Sequence, residues 1–385
     1  MSKLFESTTI NGMNLPNRFI RSATWEGLAT TDGTVTPRLI KKYSDLAKGG
    51  MGLIISSHTY VSKAGQASPW QLGIYKDELV PGLKELTSAV HKNGGKILLQ
   101  LAHAGNYAEE KVTKQPSLVV SKFERLAETE RQEITQDDIS KLIRAYTVAA
   151  ERSKKADFDG IQIHSAHGYL LSQFLSPVFN KRQDEYGGSI DNRARIHLEI
   201  YQSVRKAVGN DFPILIKINC GDFVENGLDI TESIQIAKLI DLAGFDAIEL
   251  SGGFIKTGKL SPSRTGINSP EKEAYFQKHA RKIKNKISIP LILVGGMRSF
   301  EITEKIILEG TADYISMSRP FIREPGLINR WKSGDREKAK CISDNLCFNP
   351  GFEGKGVYCV TKERESERKT APSNKIFGSV NLTEN

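Results

Sequence analysis

An α/β fold, a closed (β/α)8 TIM barrel followed by a short C-terminal extension, is what this sequence predicts. Three observations carry that prediction. Eight short β-rich runs recur along the chain, each separated from the next by a longer helical pattern. Strict alternation of this kind argues α/β, and a count of eight closes naturally into a barrel. The runs are near-continuously apolar, as strands buried on both faces of a parallel sheet are. No G-x-G-x-x-G follows the first run, which weakens the doubly wound alternative.

The elements follow in order. RFIRSAT (18–24) reads as the first strand, and TPRLIKKYSDLAKGG leads from it as a helix to MGLIISS (51–57). ELVPGLKELTSAVHKNGG separates this from KILLQLA (96–102), and the polar stretch 103–134 that comes next reads as a large insertion. DDISKLIRAYTVAAERSKKADF then precedes GIQIHS (160–165). PILIKIN (213–219), the helix in SIQIAKLIDLAGF, AIELSG (247–252), PLILVGG (290–296) and YISMSR (314–319) complete the set. Several helices end in Gly just before the next strand, as in AKGG, NGG and LAGF, the expected C-terminal stop. The barrel is therefore expected over 1–335. Residues 336–385, rich in charge, Gly and Ser, are expected to be an extension packing loosely on it.

Composition narrows the function. An apolar fraction of 39% with 26% charged residues is that of an ordinary globular protein. No apolar run approaches a membrane span and MSKLFESTTI lacks a signal peptide's apolar region, so no membrane partner and a cytoplasmic location are expected. The net charge of +9 is spread along the whole chain, with no basic block interleaved with aromatics, so no nucleic-acid partner is expected. A mildly basic surface suits phosphorylated small molecules as well. Four cysteines give no disulfide framework: Cys220 stands alone, and Cys341, Cys347 and Cys359 cluster near the end.

In a barrel of this type the chemistry sits at the C-terminal ends of the strands. Those ends supply Thr24 and Trp25, Ser57 and His58, Gln100 and His103, His164 and His167, Lys217, Ser251, Gly295 and Gly296, and Ser318 and Arg319. The last two strands end in GGMRS and SMSRPF, the place where loops often cradle a phosphate; the plainer reading is a tight turn and a surface arginine. Lys217 is a charge inside an apolar strand and needs an anion, either a structural carboxylate or a bound cofactor ring. Gln100 offers a donor and an acceptor, for a heterocycle edge or for a core hydrogen bond. For His164-x-x-His167-x-Tyr169, zinc lacks a third ligand, since no H-E-x-x-H or C-x-x-C pattern is present, and no metal is expected there. Two structural histidines remain an alternative. The chemically sharper reading is a pair of imidazoles holding a substrate carbonyl or nitro oxygen, with a nearby phenol delivering a proton.

HSAHGYLLSQFLSPVFNKRQDEYGGSIDNRARIHLEI (164–200) closely resembles the signature of the Old Yellow Enzyme family, the FMN-dependent NAD(P)H:flavin oxidoreductases. NRFIRSAT (17–24), LLQLAHAG (98–105), LVGGMRS (294–300) and ADYISMSRPFIREP (312–325) support it, and the similarity runs from about residue 3 to 335. The barrel is also similar to that of 2,4-dienoyl-CoA reductase. The resemblance implies non-covalent FMN, with NAD(P)H as reductant and a small-molecule substrate. It implies that Gln100 meets the pyrimidine edge and Lys217 the ring where negative charge gathers. Gly295, Gly296, Ser318 and Arg319 match the phosphate cradle, and Ala23, Thr24, Ser57 and His58 match segments lining the flavin. His164 and His167 match the pair gripping the substrate's activating oxygen, and Tyr169 the proton donor. The implied reaction is ping-pong: NAD(P)H reduces the flavin and leaves, and an α,β-unsaturated carbonyl or nitro compound then takes hydride and a proton. NADH oxidase or amine demethylase chemistry on the same barrel, or flavin binding without catalysis, are the alternatives. Homo-oligomers are common in the family, so a homo-oligomer is allowed.

Three departures stand out. Trp25, in the substrate pocket, and Gly27 occupy positions where some relatives carry Cys and Tyr. Ser318 replaces a usual Gly. The larger relatives hold an iron–sulfur cluster after the barrel through four cysteines, whereas here Asp344 stands among only Cys341, Cys347 and Cys359, which reads as a remnant.

Overall fold

A computed structural model describes residues 2–122, 130–255 and 257–370. Parts of the expected insertion (123–129), of the loop 254–270 (Lys256) and of the extension (371–385) lie outside the described residues. All eight expected strands form: β1 (Phe19–Arg21), β2 (Leu53–Tyr60), β3 (Ile97–Ala102), β4 (Gly160–Ser165), β5 (Ile214–Asn219), β6 (Ala247–Ser251), β7 (Leu291–Val294) and β8 (Tyr314–Met317). They pair in parallel and in chain order, and β8 returns to β1 to close the barrel. Every residue of β3, β4, β5 and β6 is buried, the polar ones included, as in strands covered on both faces.

The outer layer includes α1 (Pro37–Lys48), α2 (Val80–His91), α3 (Gln136–Lys155), α4 (Ile190–Val208), α5 (Ile230–Ala243), α6 (Gln277–Lys284) and α7 (Phe300–Leu308). Local chemistry sets their ends. Thr135 and Asp138 form a reciprocal capping box that starts α3. Gly244 stops α5 at φ +96°, a conformation that disfavours any side chain. The bottom of the barrel is plugged by a hairpin, Thr8–Ile10 paired with Met13–Leu15, whose Ile10, Met13 and Leu15 pack under Leu53, Leu98, Leu215 and Tyr314.

Two segments differ from expectation. The insertion carries a small parallel pair of its own, Ser117–Val119 with Arg131–Glu133. The described part of the extension does not pack loosely. Ala339, Ser343, Cys347 and Val357 are buried, and the Val357 and Ala339 amides donate to the Glu26 and Arg298 carbonyls, each at 2.8 Å. A few apolar anchors spaced through a charged, glycine-rich stretch do this work, and an average over the stretch hides them. No helix among the described residues is long and apolar enough to cross a membrane.

Candidate active site

The C-terminal ends of the strands enclose a cavity of about 1440 Å³. That is ample for a nucleotide-sized cofactor with a substrate above it, since small-molecule sites typically occupy ~300–1,000 Å³. His164, His167, Tyr169, Ala23, Thr24, Trp25, His58, Gln100, Lys217, Gly295, Gly296, Ser318 and Arg319 all line it. Ser57 does not. The β2–β3 register shifts between Ile55 and His58, and this bulge turns the Ser57 side chain away while aiming His58 inward. The Ser57 amide is instead held by the Tyr43 hydroxyl at 2.7 Å. His103 also faces away, its Nδ1 accepting from the Gly105 amide.

The loop after β1 is fixed from beneath. Arg21, fully buried, pairs with Glu26 at 2.7 Å and donates to the Thr24 hydroxyl, and Lys42 reaches Glu26 at 3.1 Å. Thr24 then meets Ser318 across the β8–β1 seam at 2.6 Å. Trp25 leans out of this loop against Phe352 of the extension, ring centroids 5.2 Å apart. The extension therefore forms part of the pocket wall, to which Asn345, Phe348 and Phe352 contribute.

The His164–Tyr169 segment leaves β4 through a tight turn. His167 sits at φ +65°, unusual for a side-chain-bearing residue. Its amide donates to Asn219 Oδ1, and its Nε2 meets Ser251 Oγ at 2.8 Å. The His164 and His167 rings lie 5.3 Å apart, and Tyr169 stacks obliquely on His164 at 4.6 Å. His164 Nδ1 is buried without a hydrogen-bond partner among the described residues. Burial, with Lys217 nearby, holds both imidazoles well below their usual pKa, so both are neutral at pH 7. Burial and Tyr107 raise Tyr169, which stays a protonated phenol. Its hydroxyl lies 3.3 Å from His58 Nε2, and burial lowers His58 to about 4.

The arrangement fits FMN. Gly295 and Gly296 have φ of +137° and +73°, and a Cβ on Gly296 would meet the Tyr275 ring at 2.6 Å, so the bare backbone is required there. Arg319 lies beside them, anchored through Nη1 to the Arg264 carbonyl and Asn345 Oδ1, which leaves the rest of its fork for an anion. Gln100 and Lys217 supply polar atoms deeper in the cavity.

One group escaped sequence reading. Glu249, fully buried in β6, accepts from Ser22 and Ser316 hydroxyls at 2.7 and 2.8 Å and from Gln162 at 2.9 Å, and lies 3.3 Å from Lys217. The signal was present: a lone carboxylate in the apolar AIELSG poses the question Lys217 poses in ILIKIN. Although burial alone would raise it, Lys217 and these donors hold the Glu249 carboxyl below its usual pKa. In the extension, Asp344 accepts from the Leu346 amide and the Thr361 hydroxyl, and no group of three or more His, Cys, Asp or Glu among the described residues is arranged to hold a metal ion.

The buried histidines make stability pH-dependent. His58, His103 and His197 are each lowered by burial from 6.5 to about 4, so between those values the unfolded chain binds protons that the folded protein refuses. Stability is therefore expected to fall on acidification from about pH 6.5 towards 4, by ~1.4 kcal/mol per pH unit for each histidine. Urea unfolding at pH 7 and pH 5 measures the slope, and equal midpoints would contradict it.

The model of the NADH:flavin oxidoreductase / NADH oxidase family matches residues 3–338. The chain is 36% identical over 390 residues to an NADH oxidase of Thermoanaerobacter brockii; the match takes in 95% of this chain and 58% of that protein, so the chain spans little more than half of its length. It is 35% identical to an NADPH dehydrogenase of Halalkalibacterium halodurans, over 84% of this chain and 92% of the relative. The structure of an Old Yellow Enzyme homologue from Zymomonas mobilis superposes with a TM-score of 0.76 at 25% identity, covering 94% of this chain and 98% of that one. Motif, fold and cavity agree: the chain belongs to the NADH:flavin oxidoreductase / NADH oxidase family, the oxidoreductases that use FMN with NAD(P)H as reductant.

Proposed function

We propose that the protein reduces the activated C=C bond of α,β-unsaturated carbonyl or nitro compounds with electrons from NAD(P)H. The observation that carries this reading is the convergence of His164, His167 and Tyr169 on the cavity wall, with ring separations of 5.3 Å between the histidines and 4.6 Å from His164 to Tyr169. When bound, FMN supplies the two-electron redox chemistry. The protein's residues do the rest. Gly295, Gly296, Ser318 and Arg319 hold the phosphate, while Ala23, Thr24 and His58 line the ring system. Gln100 and Lys217 meet its polar edge. His164 and His167 donate N–H groups to the substrate oxygen and polarise the double bond without carrying a full charge into the site. Tyr169 holds the proton that completes the reduction, and Trp25 with Phe352 bounds the substrate. With NAD(P)H as reductant, we take the cytoplasm as its compartment.

A second reading is oxidation of NADH by dioxygen, favoured by the 36% identity to an NADH oxidase over 95% of this chain. One experiment separates the two. Purified protein should be yellow and release FMN on denaturation, and it should turn over cyclohexenone anaerobically with NADH or NADPH. FMN content with NADH consumption only in air would replace the first reading by the second.

A further inference from the structure

We infer that Glu249 is a positioning residue that sets both the polarity of the cavity's deep end and the reduction potential of the bound flavin. The inference rests on the reading that Gln100 and Lys217 face the flavin ring. An ionised carboxylate only accepts hydrogen bonds. Gln162 must therefore turn its amide nitrogen to Glu249 Oε2, at 2.9 Å, which leaves Gln162 Oε1 facing Gln100. That oxygen in turn takes the Gln100 amide nitrogen, at 2.7 Å. The end of Gln100 left for a ligand is thus Oε1, an acceptor suited to a ring imide N–H. One buried charge fixes two amide orientations in series and so dictates what the cavity offers.

The same carboxylate partly neutralises Lys217, whose ammonium lies 3.3 Å from Oε1 and donates to the Ser22 hydroxyl at 2.9 Å. Both side chains are almost wholly buried, so little solvent screens the pair. Lys217 alone favours the reduced, more negative flavin. Glu249 opposes it and holds the potential down.

The test is spectroelectrochemical titration of FMN-loaded wild type, Glu249→Gln and Lys217→Met. Glu249→Gln is expected to raise the midpoint potential, shifting the oxidised-to-reduced equilibrium at least tenfold, ~30 mV for a two-electron couple. Lys217→Met should shift it the other way. Glu249→Asp keeps the charge but retracts it, so it should move in the same direction as Gln by less; it decides the matter if Glu249→Gln does not fold. A Lys217→Met shift with potentials unchanged in the Glu249 variants would overturn the role of Glu249 alone. Unchanged potentials in all three variants would instead overturn the placement of Lys217 beside the flavin, and the inference with it.

Discussion

Tyr169→Phe is expected to slow enone reduction by ~10²–10⁴-fold, the usual worth of a positioned proton donor. Reduction of the flavin by NAD(P)H needs no proton from this residue and should proceed at the wild-type rate. Stopped-flow measurement of the two half-reactions reads the contrast directly. The substitution is mild for the fold. Tyr169 packs against His164, His58 and Tyr107 through its ring, which phenylalanine preserves, and the hydrogen bond of its hydroxyl to His58 is long at 3.3 Å. Equal slowing of both half-reactions would show that the phenol shapes the pocket and does not deliver the proton.

His164→Ala carries the second large effect. Removing one donor from a developing oxyanion typically costs ~10²–10³-fold in kcat. The loss should appear in the enone half-reaction and be steepest for weakly activated substrates, which depend most on polarisation. His164 makes a clean test because its Nδ1 bonds to no described residue, so its loss leaves no protein group stranded. His167 is a poorer choice, since its backbone sits at φ +65° and its ring is tied to Ser251. His167→Asn, which tolerates that backbone, is the better partner variant. A wild-type rate in His164→Ala would leave the substrate oxygen to other donors.

The barrel was legible in the sequence because burial on both faces writes each strand as an apolar run, and glycine stops punctuate the helices between them. The mouth was legible for the same reason. Once strand ends are known, Gln100, Lys217, His164 and Arg319 fall together by topology, although they are far apart in sequence. What was not legible depended on single-residue offsets and on partners across the barrel. The bulge that turns Ser57 out and His58 in changes a period by one residue, with nothing in SSHTY to announce it. Glu249 gains its meaning from Lys217, Ser22, Gln162 and Ser316, each on a different strand or strand end. The docking of the extension rests on a few anchors, Cys347 and Val357 among them, in a stretch whose average is polar.

That docking has a consequence for biogenesis. Phe348 and Phe352, which complete the side of the pocket at Trp25, emerge from the ribosome more than three hundred residues after it. The β8–β1 seam has the same long separation. Pairings so distant in sequence form late, because the intervening loop must close first. A nascent chain thus carries a nearly full set of catalytic side chains in a vessel still open along one side until β8 and the segment bearing Phe348 and Phe352 have followed. Premature termination before β8 would yield an open barrel that presents its apolar interior to solvent, a natural substrate for quality-control proteases.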